Sequence, residues 1–278
     1  MSKLIWVAKA VTIVGLAAAV FLPAGYFAYE LYVRPYRIPE EEQLARPEEQ
    51  DVSLPAFEKV LEVVKTRDWV AARSALESFL EQYPYSTKQE EARRLLGEAN
   101  VRIFFTPIPA PEKIEYVIQR GDAVEKIRRR FKVTPEILMR CNNLEDPRRL
   151  SIGQRLYISQ PDFSVEIDRK RKVLTVKNHQ RFFKEYKPVN WNAPEPAKGA
   201  ERVPIEARVR DKIAWFNGRR VHFGAPEYAE SHRWVEIVKG FTLYTEGGKK
   251  PDGGISFSPE DMDELSTLLS KNVPVSIQ

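Results

Sequence analysis

Cysteine is nearly absent from this chain: one residue, Cys141, in 278. A single thiol excludes an internal disulfide and any cysteine metal cluster. Histidine is almost as scarce. His179, His222 and His232 are scattered without ligand spacing, so neither a metal nor a cofactor is expected. The 39 acidic and 44 basic residues are interleaved, and no basic stripe carries the aromatic residues that nucleic-acid binding uses. No nucleic-acid partner is expected. The formal net charge of +5 suits an anionic wall or membrane surface. The length leaves room for two or three small domains.

Lys3 and Lys9 precede an uncharged run from Ala10 to Tyr29. As a helix that run spans about 30 Å, the thickness of a bilayer core. Residues 1–33 therefore read as a transmembrane anchor with the N-terminus inside and the bulk of the chain outside. A cleaved signal peptide is the alternative, since Ala17-Ala18-Ala19 offers small residues near a cleavage point; a buried soluble helix is the third reading. Residues 34–52, rich in Pro, Glu and Arg, form a solvated linker.

Residues 53–105 carry helical periodicity. Phe57, Val60, Leu61 and Val64 share one face, and Thr66-Arg67-Asp68 interrupts the run. Ala72, Ala75, Leu76, Phe79 and Leu80 share the next, which ends at Tyr83-Pro84-Tyr85. Ser86 is the expected cap of a third helix, with Gln89 at the capping-box position and Ala92, Leu95, Leu96 and Ala99 as its stripe. Small alanines facing large residues resemble a tetratricopeptide-type hairpin in a single degenerate copy, either a packing module or a peptide groove. Pro107, Pro109 and Pro111 make residues 106–114 a stiff, extended linker.

Residues 115–159 read as strand, two helices and strand. Tyr116-Val117-Ile118 is extended and Gly121-Asp122 turns. Val124, Ile127 and Phe131 mark a first helix, Thr134-Pro135 opens a second, and Ser151–Ile158 returns as a strand. This βααβ order, with Gly121-Asp122, Asn142 and Gly153-Gln154-x-Leu156, resembles a LysM module. The resemblance implies binding of N-acetylglucosamine-containing glycan and hence peptidoglycan as partner. It nominates Gly121, Asp122, Ala123 and Val124 on one loop and Asn142, Asn143 and Leu144 on the other. For Asp122 and Asn142 a turn or cap role competes with ligand contact. Cys141 beside them reads as a buried small hydrophobe.

Residues 162–278 begin with alternating strands: Phe163, Val165 and Ile167, then Val173, Leu174 and Val176, a turn at Asn178–Arg181, and Phe182 to Tyr186. Near the C-terminus Ser258 is a helix N-cap, Pro259 fits the first helical position and Asp261 the capping-box position. Met262, Leu265 and Leu269 give that helix an apolar face, and Val273, Val275 and Ile277 alternate as a last strand. Pro251-Asp252-Gly253-Gly254-Ile255-Ser256-Phe257 before the capped helix resembles the Ser-x-Gly-Cys-Ile-Arg-Leu motif of the L,D-transpeptidases of bacterial cell walls. The resemblance places Gly254 where that family has its nucleophilic cysteine and Ser256 where it has arginine. Tyr244, in Leu243-Tyr244-Thr245-Glu246, stands where it has histidine.

A thiolate attacks a peptide carbonyl because sulfur is nucleophilic and a neighbouring imidazole takes its proton. Glycine offers no nucleophile, and a phenol, titrating near 10 in water, is a poor base at neutral pH. The expected whole is a multidomain α and β protein: transmembrane helix, small helical hairpin, LysM module and a mostly-β L,D-transpeptidase-like domain without its catalytic residues. The resemblance implies a single-pass protein of the bacterial inner membrane that binds peptidoglycan, with other cell-wall enzymes as candidate partners. The alternative is an active L,D-transpeptidase.

Overall fold

The computed structural model describes Tyr26 and residues 51–192, 205–238 and 241–278. The expected anchor over residues 1–33, apart from Tyr26, and most of the 34–52 linker lie outside the described residues. Among the described residues, no helix is long and apolar enough to cross a membrane.

Three helices open the described chain: α1 (Leu54–Lys65), α2 (Trp69–Gln82) and α3 (Gln89–Phe105). The expected apolar faces meet: Phe57, Leu76, Phe79, Ala92 and Leu96 are buried together. Asp68 caps α2 by accepting from the Ala71 N–H at 3.0 Å. The expected Ser86 cap of α3 is corrected: the N-cap is Lys88. Ser86 Oγ instead accepts from the Lys88 N–H at 3.0 Å and pairs with Ser53 Oγ at 2.6 Å, tying the turn back to the start of α1.

Helix α3 also runs past its alanine stripe. Val101 and Phe104 join the core of the C-terminal sheets, and Asn100 Nδ2 donates to the Phe183 carbonyl at 2.8 Å. At Gly97 a methyl group would come within 3.0 Å of Lys184 Cγ, so the missing side chain lets helix and sheet approach. The proline-rich linker is likewise tied down. Arg73 forms a paired bridge to Glu112, with Nη1–Oε1 at 2.5 Å and Nη2–Oε2 at 3.2 Å.

Strand β1 (Lys113–Val117) pairs antiparallel with β2 (Arg155–Ser159), and between them lie α4 (Val124–Phe131) and α5 (Pro135–Arg140). Ile118 lies beyond β1 but still bonds the Gly153–Gln154 turn through both its backbone groups. Thr134 caps α5 as expected, accepting from the Ile137 N–H at 3.2 Å. Ile118, Val124, Ile127, Leu138, Leu156 and Ile158 form this segment's own core.

Two sheets follow. The first has the order β5-β4-β3-β13-β7, from β3 (Phe163–Asp168), β4 (Val173–Asn178), β5 (Arg181–Tyr186), β7 (Ile205–Arg208) and β13 (Pro274–Ile277). The second has the order β6-β12-β11-β10-β8-β9, from β6 (Asn190–Asn192), β8 (Asp211–Phe216), β9 (Arg219–Val221), β10 (His232–Val238), β11 (Phe241–Thr245) and β12 (Gly254–Phe257). The Asn178–Arg181 turn holds His179 and Gln180 at φ +49° and +62°, the left-handed pair that joins twisted strands tightly.

Helix α6 (Pro259–Leu268) packs on the second sheet at β10, β11 and β12. Ser258 Oγ accepts from the Asp261 N–H at 3.1 Å, as the cap requires. Met262, Leu265 and Leu269 are all buried, with Val235, Ile237, Leu243, Ile255, Val275 and Ile277 in one core. Ile137 and Cys141 of the α5 region belong to this core too, so the LysM-like segment and the sheets share packing.

Candidate functional site

The two loops nominated for glycan contact are built by local hydrogen bonds. Gly121 sits at φ +87°, a conformation open to glycine, and turns the chain from β1 toward α4. Asp122 fixes that turn: its Oδ2 accepts from the Tyr116 hydroxyl at 2.7 Å and the Gln119 N–H at 2.8 Å. The Gln119 amide and then the Tyr116 hydroxyl hold the Asp122 carboxyl below the usual carboxylate range. On the opposite loop Asn142 is buried. Its Nδ2 donates to the Leu138 and Tyr157 carbonyls at 2.8 and 3.0 Å, and its Oδ1 accepts from the Tyr157 N–H at 2.6 Å. Asn142 thus latches strand β2 to the end of α5, and the exposed side chain of this loop is Asn143, at φ +51°.

Ala123 stands exposed at the N-cap of α4, while Val124 and Leu144, one from each loop, line a cleft of about 980 Å³. Its opposite wall is the Phe223–Ala229 stretch after β9. Phe223 packs against the LysM-like core and meets Tyr228 edge-on at 5.3 Å. Sequence reasoning missed this wall, because nothing local to Phe223–Ala229 reports the surface it faces.

Below the wall lies a charged layer. Glu136 of α5 is buried and accepts from Lys212 Nζ at 2.7 Å and from the Tyr228 hydroxyl at 2.6 Å. Burial and then the Glu136 carboxylate push the Tyr228 hydroxyl up, so it stays protonated and donates. Arg140 Nη1 reaches Asp263 Oδ2 at 2.7 Å and Thr267 Oγ1 at 2.9 Å. Cys141 is buried, and desolvation pushes its thiol up to about 12, the state of an inert hydrophobe.

Tyr244, Gly254 and Ser256 lie elsewhere, inside β11 and β12. The parallel register sets Gly254 beside Thr242 and Ser256 beside Tyr244. Gly254 has φ +144°, and a Cβ built there would run into the Thr242 carbonyl. The position rejects any side chain in this backbone. Ser256 is fully buried and its Oγ accepts from the Asn190 N–H at 3.1 Å. Hydrogen bonds from Ser256 and Asn190 hold the nearby Glu246 carboxyl below its ordinary value, which makes it a weaker base. His179 is exposed on its turn. His232 packs against the backbone at Gly248, where a Cβ would sit 2.5 Å from its Cγ. No cluster of three or more histidine, cysteine, aspartate or glutamate side chains with metal-binding geometry occurs among the described residues.

No curated protein matches the chain in sequence. Among solved structures, it is similar to a mutant L,D-transpeptidase of Enterococcus faecium, at 18% identity and TM-score 0.29 over 42% of this chain. That match spans half the length of the Enterococcus protein. An L,D-transpeptidase from Mycobacterium smegmatis is similar at 13% identity and TM-score 0.28, over 46% of this chain and 64% of that one. An L,D-transpeptidase from Stackebrandtia nassauensis is similar at 13% identity and TM-score 0.30, over 56% of this chain and 75% of that one. Residues 116–159, which hold every residue nominated for glycan contact, match the LysM domain family.

Proposed function

We propose that this protein is a membrane-anchored, peptidoglycan-binding protein of the bacterial envelope. Its LysM segment holds N-acetylglucosamine-containing glycan, and its C-terminal sheet domain is a catalytically inactive relative of the L,D-transpeptidases that acts as scaffold or as regulator of other cell-wall enzymes. The observation that carries the reading is the LysM match at 116–159, together with two loops that open on a cleft of about 980 Å³. That volume suits several sugar units, with apolar Val124 and Leu144 available beneath a ring.

Inactivity is supported by three side-chain facts. The motif's cysteine position is Gly254, whose surroundings exclude a side chain. Ser256 is sealed from solvent, and the lone thiol, Cys141, is buried in the core. The uncharged run Ala10–Tyr29 supports the anchor.

The test is a pull-down of the full chain on purified peptidoglycan sacculi beside Ala123→Trp, which adds a ring at the exposed nominated residue next to Val124 of the cleft. We expect the wild type to bind and the variant to lose roughly tenfold or more in affinity, with the sacculi chemically unchanged. New peptide cross-links or trimmed stems would overturn the inactive reading, and equal binding by the variant would remove the groove from it.

A further inference from the structure

The floor of the cleft holds a group that the fold leaves incompletely used. Arg233, on β10, lines the cleft and is only 4% exposed. Its Nη1 is engaged with Ser231, through both the carbonyl and the hydroxyl, and its guanidinium lies 3.6 Å from the centre of the Tyr228 ring. Its Nη2 stands 3.6 Å from Asp263 Oδ1, beyond a good hydrogen bond, and its Nε has no partner among the described residues. A buried donor left unmade costs free energy, and the Nε–Nη2 edge is the edge of a guanidinium that takes a carboxylate two-pronged.

The charge count agrees. Three cations, Lys212, Arg140 and Arg233, face two carboxylates, Glu136 and Asp263, in this layer. Asp263 is shared by two arginines and closer to Arg140, so the surplus positive charge rests on Arg233. Of the acids nearer the mouth, Glu125 is bridged by Arg128 and Arg129 and Asp146 by Arg148, while Glu145 is exposed and screened by solvent. A surplus charge in a desolvated floor attracts an anion far more strongly than one at the surface does.

We infer that this floor is an anion subsite, centred on Arg233, for a carboxylate carried on the glycan that the LysM loops hold. The inference rests on the glycan-binding reading above. Val124 and Leu144 line the cleft mouth beside the nominated loops, and Arg233 lines the same cleft, so one ligand spans both. The carboxylate is either the sugar's own acid or that of a peptide attached to it, and both would pair with the same edge.

The test is calorimetric titration of the full chain with five saccharides. They are a neutral N-acetylglucosamine tetramer, a tetrasaccharide alternating N-acetylglucosamine with N-acetylmuramic acid, its methyl ester, and the tetrasaccharide with a peptide on the muramic acid, as free acid and as amide. We expect one acid form to bind roughly ten times more tightly than its neutral counterpart, and the arm in which this happens identifies the source of the carboxylate. Arg233→Gln should bring that ratio to about one, and Arg233→Lys should keep part of it. Should Arg233→Gln not fold, Asp263→Asn serves instead: by releasing the guanidinium it should raise the ratio. Equal binding of acid and neutral forms, with the neutral tetramer still bound, would sink the subsite and leave the glycan reading standing. So would a folded Arg233→Gln that keeps the preference, or an unchanged ratio in Asp263→Asn. Failure of every saccharide to bind would bring down both.

Discussion

In the LysM segment the nominated residues sit on two loops: Gly121, Ala123 and Asn143 stay exposed, and Val124 and Leu144 line the cleft. In the six-stranded sheet the residues that the sequence resemblance nominated, Tyr244, Gly254 and Ser256, sit inside β11 and β12 and are all buried. A loop delivers backbone groups and short side chains to solvent. Strand β12 is paired on both sides, to β11 and to β6, and its backbone groups serve those ladders. Residues nominated in the same way from sequence therefore stand for an available surface in one region and for packing in the other. The difference lies in what surrounds each position.

The largest test of that contrast is Gly254→Cys. The added side chain should destabilise the fold by about 4 kcal/mol, because the new Cβ meets the Thr242 carbonyl and the backbone is held at φ +144°. Urea unfolding measures the loss, and a penem-class beta-lactam reports any acylation. A stable, acylated variant would erase the contrast by showing that the sheet still holds a usable site.

Asn142→Ala probes the other side. It removes a latch of three hydrogen bonds and leaves the Tyr157 N–H without its acceptor, at a cost of about 3 kcal/mol. Glycan binding and thermal stability should fall together. Lost binding at unchanged stability would instead make Asn142 a ligand contact. The sequence left both roles open for Asn142, and the geometry assigns its amide to the fold. The strand-to-strand distance across the module, and with it the partner of that amide, is not written in the five or six residues around Asn142.

The smallest effect concerns pH. The Asp122 carboxyl lies below its unfolded value, so the order it contributes is present above about 3.9. That order is lost as the pH falls through the lower, folded value. The Gln119 amide resonance, which donates to Asp122, should titrate with the same depressed midpoint in an NMR pH series. A midpoint at the ordinary aspartate value would mean that the turn is loose and the loop less preformed than its neighbour Asn142.

Periodicity and capping chemistry are local, and they were legible. The faces of α1, α2 and α6, the Thr134 and Ser258 caps, the alternation of β3 and the inertness of a lone cysteine all follow from residues a few positions apart. Ser86 failed as a cap because two caps' worth of polar residues, Ser86 to Lys88, compete there and Ser53 claims its hydroxyl from across the turn. The packing partner of the last turn of α3 was missed as well. Ile103 and Phe104 break the alanine pattern, and what buries Phe104 is Phe163 and Phe183, whose rings lie 5.4 and 5.8 Å away on the sheet.

The sequence by itself determined the helices, the strands β1 to β5 and β13, and the LysM segment. Tertiary structure alone decided that the glycan loops face a second wall and that charge gathers beneath them. Arg140 and Thr267 meet across 127 residues, and Arg233 of β10 comes within 3.6 Å of Asp263 on α6. Local pattern reports the energy of neighbours along the chain. A cleft and its unbalanced charge arise from groups that only packing brings within a few ångströms, where the low dielectric of a buried site gives them their strength.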